Sequence, residues 1–165
     1  MIVNILFAIV VQTLAVDPVK LINNVETTMN HNVKTETNIQ LTQRELNCLA
    51  LNIYHESRGE PLIGQLAVAS VTLNRATDDR YPNDVCSVVW QDSQFSWTND
   101  RNSDKPKDAK SWKMAQKIAI TISAEYSPII DVTDGATMFH AVGSKPSWRK
   151  RFEKTAQIGG HIFYR

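Results

Sequence analysis

The stretch TQRELNCLALNIYHESRGEPLIGQLAVASVTLNR, residues 42–75, decides the fold, because it encodes two helices and the break between them. Thr42, followed three residues later by Glu45, is a capping-box pattern that marks a helix N-terminus. Gly59 and Pro61 end the helical spacing that follows. We therefore predict a helix over residues 43–58 and a second helix after Pro61. Inward-facing positions at helical spacing are Leu46, Leu49, Ala50 and Ile53 in the first helix, and Ile63, Leu66, Ala67, Ser70, Val71 and Asn74 in the second.

The sequence after these helices predicts a third helix, short strands and long loops. Residues 76–84 have turn composition, the apolar run 85–90 fits either a helix or a strand, and residues 91–107 are loop-like. The third helix is predicted over residues 109–126, and residues 136–142 and 161–164 are predicted as short extended segments. The expected fold class is mainly α, with an α+β character from these strands. The third helix turns Trp112, Ala115, Ala119 and Ile122 inward.

The N-terminal 40 residues differ in composition from the rest of the chain. Residues 1–16 contain no charged side chain, are short for a bilayer span and resemble the apolar core of a secretory signal. The alternative is a buried N-terminal helix. Residues 17–40 are rich in Asn and Thr and contain no aromatic residue, which is typical of a linker. We predict a signal peptide or membrane anchor at 1–16, a linker at 17–40, a folded domain at 41–165, and export to the envelope, periplasm or outside of the cell.

Charge and cysteine content limit the classes of partner. A net charge of +1 gives no electrostatic case for nucleic acid, although local basic patches remain compatible with an anionic polysaccharide. Cys48 and Cys86 are too few for a disulfide scaffold or a cysteine-based zinc site. An exported domain could join them in one bridge. Two buried thiols fit equally well, so both alternatives stay open.

His55-Glu56 resembles the start of a zinc-binding helix motif, but the second ligand is missing. Such a motif needs histidines four residues apart on one helix face, and Gly59 occupies that position. His140 and His161 could join His55 from a distance, although nothing in their spacing requires it. We therefore predict no metal, and structural hydrogen-bonding roles for the histidines.

Glu56 is the candidate catalytic acid. It falls in the last turn of the first helix, where the negative end of the helix dipole should raise its pKa. Burial under Tyr54 or Phe95 would act in the same direction. A carboxyl group that is protonated near neutral pH is suited to glycosidic bond cleavage. The alternative is an exposed residue paired with Arg58 or a lysine, and position alone does not choose between them.

A second carboxylate is hard to assign. Gly59 and Pro61 break the helix around Glu60, so Glu56 and Glu60 need not share a face. Asp92 and Asp100 lie in the predicted loop. A single acid suits a mechanism in which the substrate supplies the nucleophile. In peptidoglycan the 6-hydroxyl of muramic acid can attack its own anomeric carbon, with one glutamate as acid and then base.

Aromatic and polar residues near the loops are candidates for sugar binding. Sugars stack on aromatic faces while their hydroxyls form hydrogen bonds. For each aromatic residue the alternative is packing in the core, and Trp97 is the best candidate for an exposed platform because polar residues flank it. The candidates are Gln94, Phe95, Ser96, Trp97, Phe139, His140 and Trp148.

Four separated motifs, in order, resemble those of the SleB-type cell-wall hydrolases, the catalytic domains of spore cortex-lytic enzymes and their bacterial and phage relatives. The resemblance covers about residues 45–165. The motifs are YHESRGEPLIGQLAVASVTLNR (54–75), YPNDVCSVVWQDSQFSW (81–97), FHAVGSKPSW (139–148) and IGGHIF (158–163).

The resemblance implies a compact, lysozyme-like fold with a substrate groove. It also implies lytic transglycosylase activity on peptidoglycan glycan strands, without a cofactor and with Glu56 as the catalytic residue. Glu60 becomes a groove or structural residue, and a Cys48–Cys86 bridge is favoured. We expect a monomer. The predicted substrate-binding set is Tyr54, Glu60, Gln94, Phe95, Ser96, Trp97, His140 and Trp148.

Three alternative functions remain. A hydrolytic muramidase or glucosaminidase would need Asp92 or Asp100 opposite Glu56, a zinc amidase would use His55 with two other histidines, and a glycan-binding module would not need Glu56. Spore enzymes usually carry a separate peptidoglycan-binding domain, and residues 17–40 are too short and polar to be one. We therefore expect a phage endolysin or a general envelope hydrolase rather than a germination enzyme.

Overall fold

The computed structural model describes residues 40–125 and 131–165. The apolar segment 1–16 and all but the last residue of the predicted linker lie outside the described residues. Within the two described ranges, no helix is both long and apolar enough to cross a membrane.

Within residues 40–125 and 131–165, four α-helices form most of the structure: α1 (Gln43–Ser57), α2 (Leu62–Ala76), α3 (Val85–Val89) and α4 (Ala109–Glu125). The predicted capping box is confirmed. The Thr42 hydroxyl accepts the Glu45 backbone N–H at 3.2 Å, and the Glu45 carboxylate accepts the Thr42 backbone N–H at 3.0 Å. The ambiguous run 85–90 is helical, because the Asp84 side chain accepts the Ser87 N–H and caps it. Short 3-10 helices occur at Ser96–Asn99 and Ser147–Arg151.

A small antiparallel sheet completes the mainly helical fold. It contains β1 (Met138–Ala141), β2 (Lys154–Ile158) and β3 (His161–Tyr164) in the order β1-β3-β2. The strands β1 and β3 lie within the predicted extended segments and pair through Phe139 and Phe163. The strand β2 was not predicted, because the edge sequence KTAQI contains no aromatic residue and only one strongly apolar one.

Helix α2 is the central element of the core. Every residue from Gly64 to Arg75 is buried, so α2 is buried all round and not only on the single face that its apolar spacing predicts. Leu66 and Leu73 pack in one cluster with the other helices, whereas Ala67 and Val71 pack in a second cluster with Phe163 of the sheet. Because helices cover one side and the sheet covers the other, the C-terminal end of α2 is held deep in the domain.

Cys48 of α1 and Cys86 of α3 form a disulfide. The bridge closes a loop with a sequence separation of 38 residues. Such a closure stabilises by roughly 3–4 kcal/mol, chiefly by restricting the unfolded chain. We expect the Cys48→Ala/Cys86→Ala double variant to unfold about 10 °C below the wild type in calorimetry. An unchanged midpoint would show that the bridge contributes little.

Candidate functional site

Glu56 occupies the last turn of α1 and is half-buried. Among the described residues its carboxylate has no hydrogen-bond partner, and burial raises its pKa. The charge of Arg75 acts in the opposite direction and lowers the pKa of Glu56. The alternative of a pairing with Arg58 is not observed, because the Arg58 guanidinium lies over the Tyr54 ring at 5.0 Å. Glu56 is therefore a poorly solvated carboxyl with a different cation as its electrostatic partner.

Arg75 comes from the C-terminal end of α2 and is 3% exposed. Its Nε donates to the Thr137 carbonyl at 2.7 Å. Its guanidinium lies 5.3 Å from the ring centres of both Tyr81 and Phe95. Nη1 is buried and has no hydrogen-bond partner among the described residues. A buried cation with an unused donor is unusual in a folded protein, and it is typical of functional sites.

Residues 94–97 contact Arg75 on one side and His55, the sequence neighbour of Glu56, on the other. Phe95 is 2% exposed and lies against Arg75, while Trp97 is 7% exposed and stacks on His55 with ring centres 4.4 Å apart. The Trp97 Nε1 donates to Asn52 Oδ1 at 3.1 Å. The expected exposed platform at Trp97 is therefore not observed, because two partners hold the indole in the core. Gln94 is half-buried and Ser96 is exposed between the two buried rings.

Tyr54 is also buried, with 4% exposure. Its hydroxyl accepts the backbone N–H groups of Lys107 and Asp108, each at 3.0 Å. Together with His55 it lines a cavity of about 190 Å³ between the end of α1 and the loop before α4. Tyr54 thus supports the loop from below, and a direct contact with substrate stays a prediction.

Glu60 links two of the four sequence motifs. Its carboxylate accepts the Gly160 backbone N–H at 2.8 Å, and its carbonyl accepts the Gln65 side-chain amide at 3.0 Å. These contacts favour the structural alternative for Glu60, since they attach the β2–β3 turn to the start of α2. Gly159 in that turn has φ +55°, and a Cβ there would meet the Glu60 carboxylate.

Gly59 and Gly159 offer a matched pair of substitutions. Gly159→Ala is expected to cost about 1–2 kcal/mol from its left-handed backbone alone, and more from displacement of Glu60. Its unfolding midpoint should fall by about 5 °C or more. Gly59→Ala should stay close to the wild type, because nothing lies within 4 Å of its added Cβ. Equal midpoints of the two variants in thermal unfolding would contradict this account of the turn.

His140 and Trp148 lie in a separate aromatic cluster on the sheet. The His140 Nε2 lies 3.0 Å from the Tyr164 hydroxyl, and its Nδ1 lies 2.8 Å from the Ala141 carbonyl. Trp148 packs edge-on against both His140 and Tyr164. The His55 Nε2 is bound to the Asp104 carbonyl at 3.0 Å. His55 and His140 thus form the expected structural hydrogen bonds, whereas the buried Nδ1 of His161 has no hydrogen-bond partner among the described residues. In the described ranges no three His, Cys, Asp or Glu side chains form a metal-binding group.

A model of the cell wall hydrolase family matches residues 59–164, more than half of the chain. The chain belongs to this family. Spore cortex-lytic enzymes are similar to it in sequence. The one from Halalkalibacterium halodurans is 34% identical over 80% of this chain and 38% of its own length. The one from Bacillus cereus is 44% identical over 33% of this chain and 21% of its own length.

Two solved structures of the cell wall hydrolase type resemble this domain. The catalytic domain of the Bacillus cereus SleB protein has a TM-score of 0.62 and 26% identity, with 82% of this chain and 100% of that chain covered. The catalytic domain of the germination-specific lytic transglycosylase SleB from Bacillus anthracis has a TM-score of 0.62 and 29% identity, with 81% and 100% covered. The resemblance to SleB-type hydrolases is thereby confirmed. The chain spans well under half the length of the curated relatives that it matches.

Sequence reasoning missed Arg75. The residue ends a quoted motif, yet an arginine at the end of an apolar helix also fits a solvated C-terminal cap. The sequence signal that could have identified Arg75 is its helical spacing from the buried residues of α2, which places it beside them. Asn74 and Arg75 lie in the last turn of α2, which the sheet covers on its second side, so both are buried.

Proposed function

We propose that this domain cleaves the glycan strands of peptidoglycan as a lytic transglycosylase, between N-acetylmuramic acid and N-acetylglucosamine. Glu56 protonates the glycosidic oxygen as the bond from the muramic anomeric carbon breaks. The 6-hydroxyl of the same muramic acid then bonds to that carbon and gives its proton to the Glu56 carboxylate. The products are a 1,6-anhydro-muramic end and a free 4-hydroxyl, and no water is consumed.

The electrostatic surroundings of Glu56 carry this proposal. A retaining glycosidase places its two carboxyl groups about 5–5.5 Å apart, and at such a distance each raises the other's pKa. Burial raises the pKa of Glu56, and the charge of Arg75 lowers it. Asp92 and Asp100 are both exposed, and Glu60 holds the Gly160 amide. One acid supported by one cation fits a reaction in which the substrate supplies the nucleophile.

The comparisons support the same reaction. The Bacillus anthracis relative is described as a lytic transglycosylase, and the curated relatives as spore cortex-lytic enzymes. We infer that this domain acts on the wall at the cell envelope, as a monomer and without a cofactor. From the sequence alone, we also propose an endolysin role and membrane attachment through residues 1–16.

Product analysis of purified peptidoglycan tests the proposal. Mass spectrometry of fragments released with and without chelator should detect anhydro-muramic ends in both samples. Reducing ends would instead support a hydrolytic muramidase or glucosaminidase. Free stem peptides that disappear with chelator would support a zinc amidase, and binding without any fragments would support a glycan-binding module.

A further inference from the structure

The cavity beside α1 is small relative to a glycan strand. Its volume of about 190 Å³ lies below the roughly 300–1,000 Å³ of pockets that enclose a whole drug-sized ligand. It therefore suits one branch of a larger substrate rather than a disaccharide. Its lining includes His55 and Arg58, which stand on either side of Glu56 and Ser57 in the sequence.

The wall of this cavity is held in place by specific contacts. His55 stacks on Trp97 with an interplanar angle of 14°, and its Nε2 donates to the Asp104 carbonyl. The Tyr54 hydroxyl binds two successive backbone N–H groups of the loop. The loop that closes the cavity is thus attached to α1 at two points, which gives the cavity a defined shape before any ligand binds.

The charges around the cavity favour an anionic group. Arg58, Lys105 and Lys107 all line it, and within the described part of the chain none of them has a carboxylate at salt-bridge distance. Asp100 and Asp104 line it too, so Arg58, Lys105 and Lys107 leave the lining with an excess of positive charge over the two carboxylates. Cations that form no salt bridge around a preformed cavity favour binding of a negative ligand group.

The substrate offers one source of such a group at this place. This step rests on the proposed function. A peptidoglycan glycan strand is uncharged where each muramic lactyl group carries a peptide, so its carboxylates belong to the peptide branches. We propose that the cavity binds a carboxylate of a stem peptide of the glycan strand, through Arg58, Lys105 and Lys107. The domain would then recognise the peptide branch as well as the glycan.

Neutralising the peptide carboxylates tests this site. The substrates are phosphate-free peptidoglycan and the same material with its carboxylates converted to methylamides. We expect the wild type to cleave the amidated strands with a kcat/KM about tenfold lower, mainly through KM. The Lys105→Gln/Lys107→Gln variant should lose this preference for unmodified strands. Its kcat/KM should be about tenfold below that of the wild type on unmodified strands and close to that of the wild type on amidated strands. Lys110→Gln/Lys113→Gln is the matched control, because both lysines are exposed on α4 outside the cavity.

Three results would overturn the inference. Equal wild-type rates on both substrates, with anhydro ends formed, would remove the carboxylate site and leave the proposed function intact. A Lys105/Lys107 double variant that is equally impaired on both substrates, with unchanged thermal unfolding, would assign these cations to the glycan or to the chemical step. Absence of cleavage of either substrate would overturn the proposed function and this inference with it.

Discussion

Glu56→Gln is expected to reduce release of anhydro-muramic fragments by about 10³-fold or more. General acid and base catalysis by one group contributes typically 10²–10⁴-fold, and here one carboxyl serves in both steps. The amide keeps the shape of the side chain but cannot give or accept the proton. The decrease should appear in kcat, because the glycan still binds, and initial rates on purified peptidoglycan measure it.

The stability of Glu56→Gln should be equal to or higher than that of the wild type at neutral pH. Burial raises the pKa of Glu56 in the folded state. As pH increases past the ordinary pKa of a glutamate, the unfolded chain loses this proton first, so the wild type loses stability until the folded group also ionises. The variant lacks this loss. The difference in unfolding free energy between Glu56→Gln and the wild type should therefore vanish at pH values below the ordinary pKa of a glutamate.

Glu153→Gln provides the control for this substitution. It makes the same chemical change at an exposed carboxylate that pairs with Arg165 across the sheet edge. Cleavage by this variant should match the wild type, and its stability should change by less than about 1 kcal/mol. A Glu56→Gln variant that keeps normal activity would assign the acid to another residue. A Glu56→Gln variant that loses as much unfolding free energy as a truncation in the core would show that Glu56 has a structural role.

Arg75→Met is expected to lower kcat by about ten- to a hundredfold and to shift the pH dependence of cleavage. The arginine cation stabilises the Glu56 carboxylate that forms when the acid gives up its proton. Without this cation the carboxylate remains half-buried with no cationic partner among the described residues. Proton donation by Glu56 then becomes less favourable. Each increase of about 1.4 kcal/mol in its free-energy cost lowers kcat about tenfold.

The pH shift has a definite direction. Arg75 lowers the pKa of Glu56, so its removal should raise that pKa. Because the first step requires a protonated Glu56, the alkaline limb of the kcat/KM profile reports its ionisation in the free enzyme. We expect this limb to move to higher pH in Arg75→Met. Arg75→Lys keeps the charge and should retain most of the wild-type profile.

The pH profile separates positioning from folding. Arg75 also donates to the Thr137 carbonyl, so both variants lose stability through that contact. A role confined to folding would lower the unfolding midpoint without moving the alkaline limb. An Arg75→Met variant with the wild-type limb, measured below its unfolding temperature, would therefore contradict the electrostatic link to Glu56.

Local signals in the sequence predict the helices well. The capping box at Thr42, the Gly59 and Pro61 break, and the apolar spacing of α1 place its bounds within one residue. The burial of α2 on all sides was not predictable from periodicity, since its second covered side depends on a sheet formed by distant residues. The strand β2 forms because β3 offers a free edge, and its own residues give little indication of this.

The candidate site was predicted only in part, for a related reason. The location of Glu56 in the last turn of α1 was predictable, because a position on one helix can be read locally. Arg75 and Phe95 meet near it only after α2 and the loop pack together, and nothing local indicates that contact. Trp97 has polar neighbours in the sequence yet lies in the core, because Asn52 and His55 of α1 bind its indole from beneath. Polar neighbours along the chain therefore did not predict exposure.

The most direct test of the central claim is digestion of purified peptidoglycan in water enriched in ¹⁸O, followed by mass spectrometry of the new chain ends. We expect 1,6-anhydro-muramic ends without ¹⁸O, because the muramic 6-hydroxyl is the nucleophile. These ends should be absent with Glu56→Gln. Reducing ends that carry one ¹⁸O atom would contradict this expectation, since they would show that water attacks the anomeric carbon and that Glu56 acts with a second catalytic group.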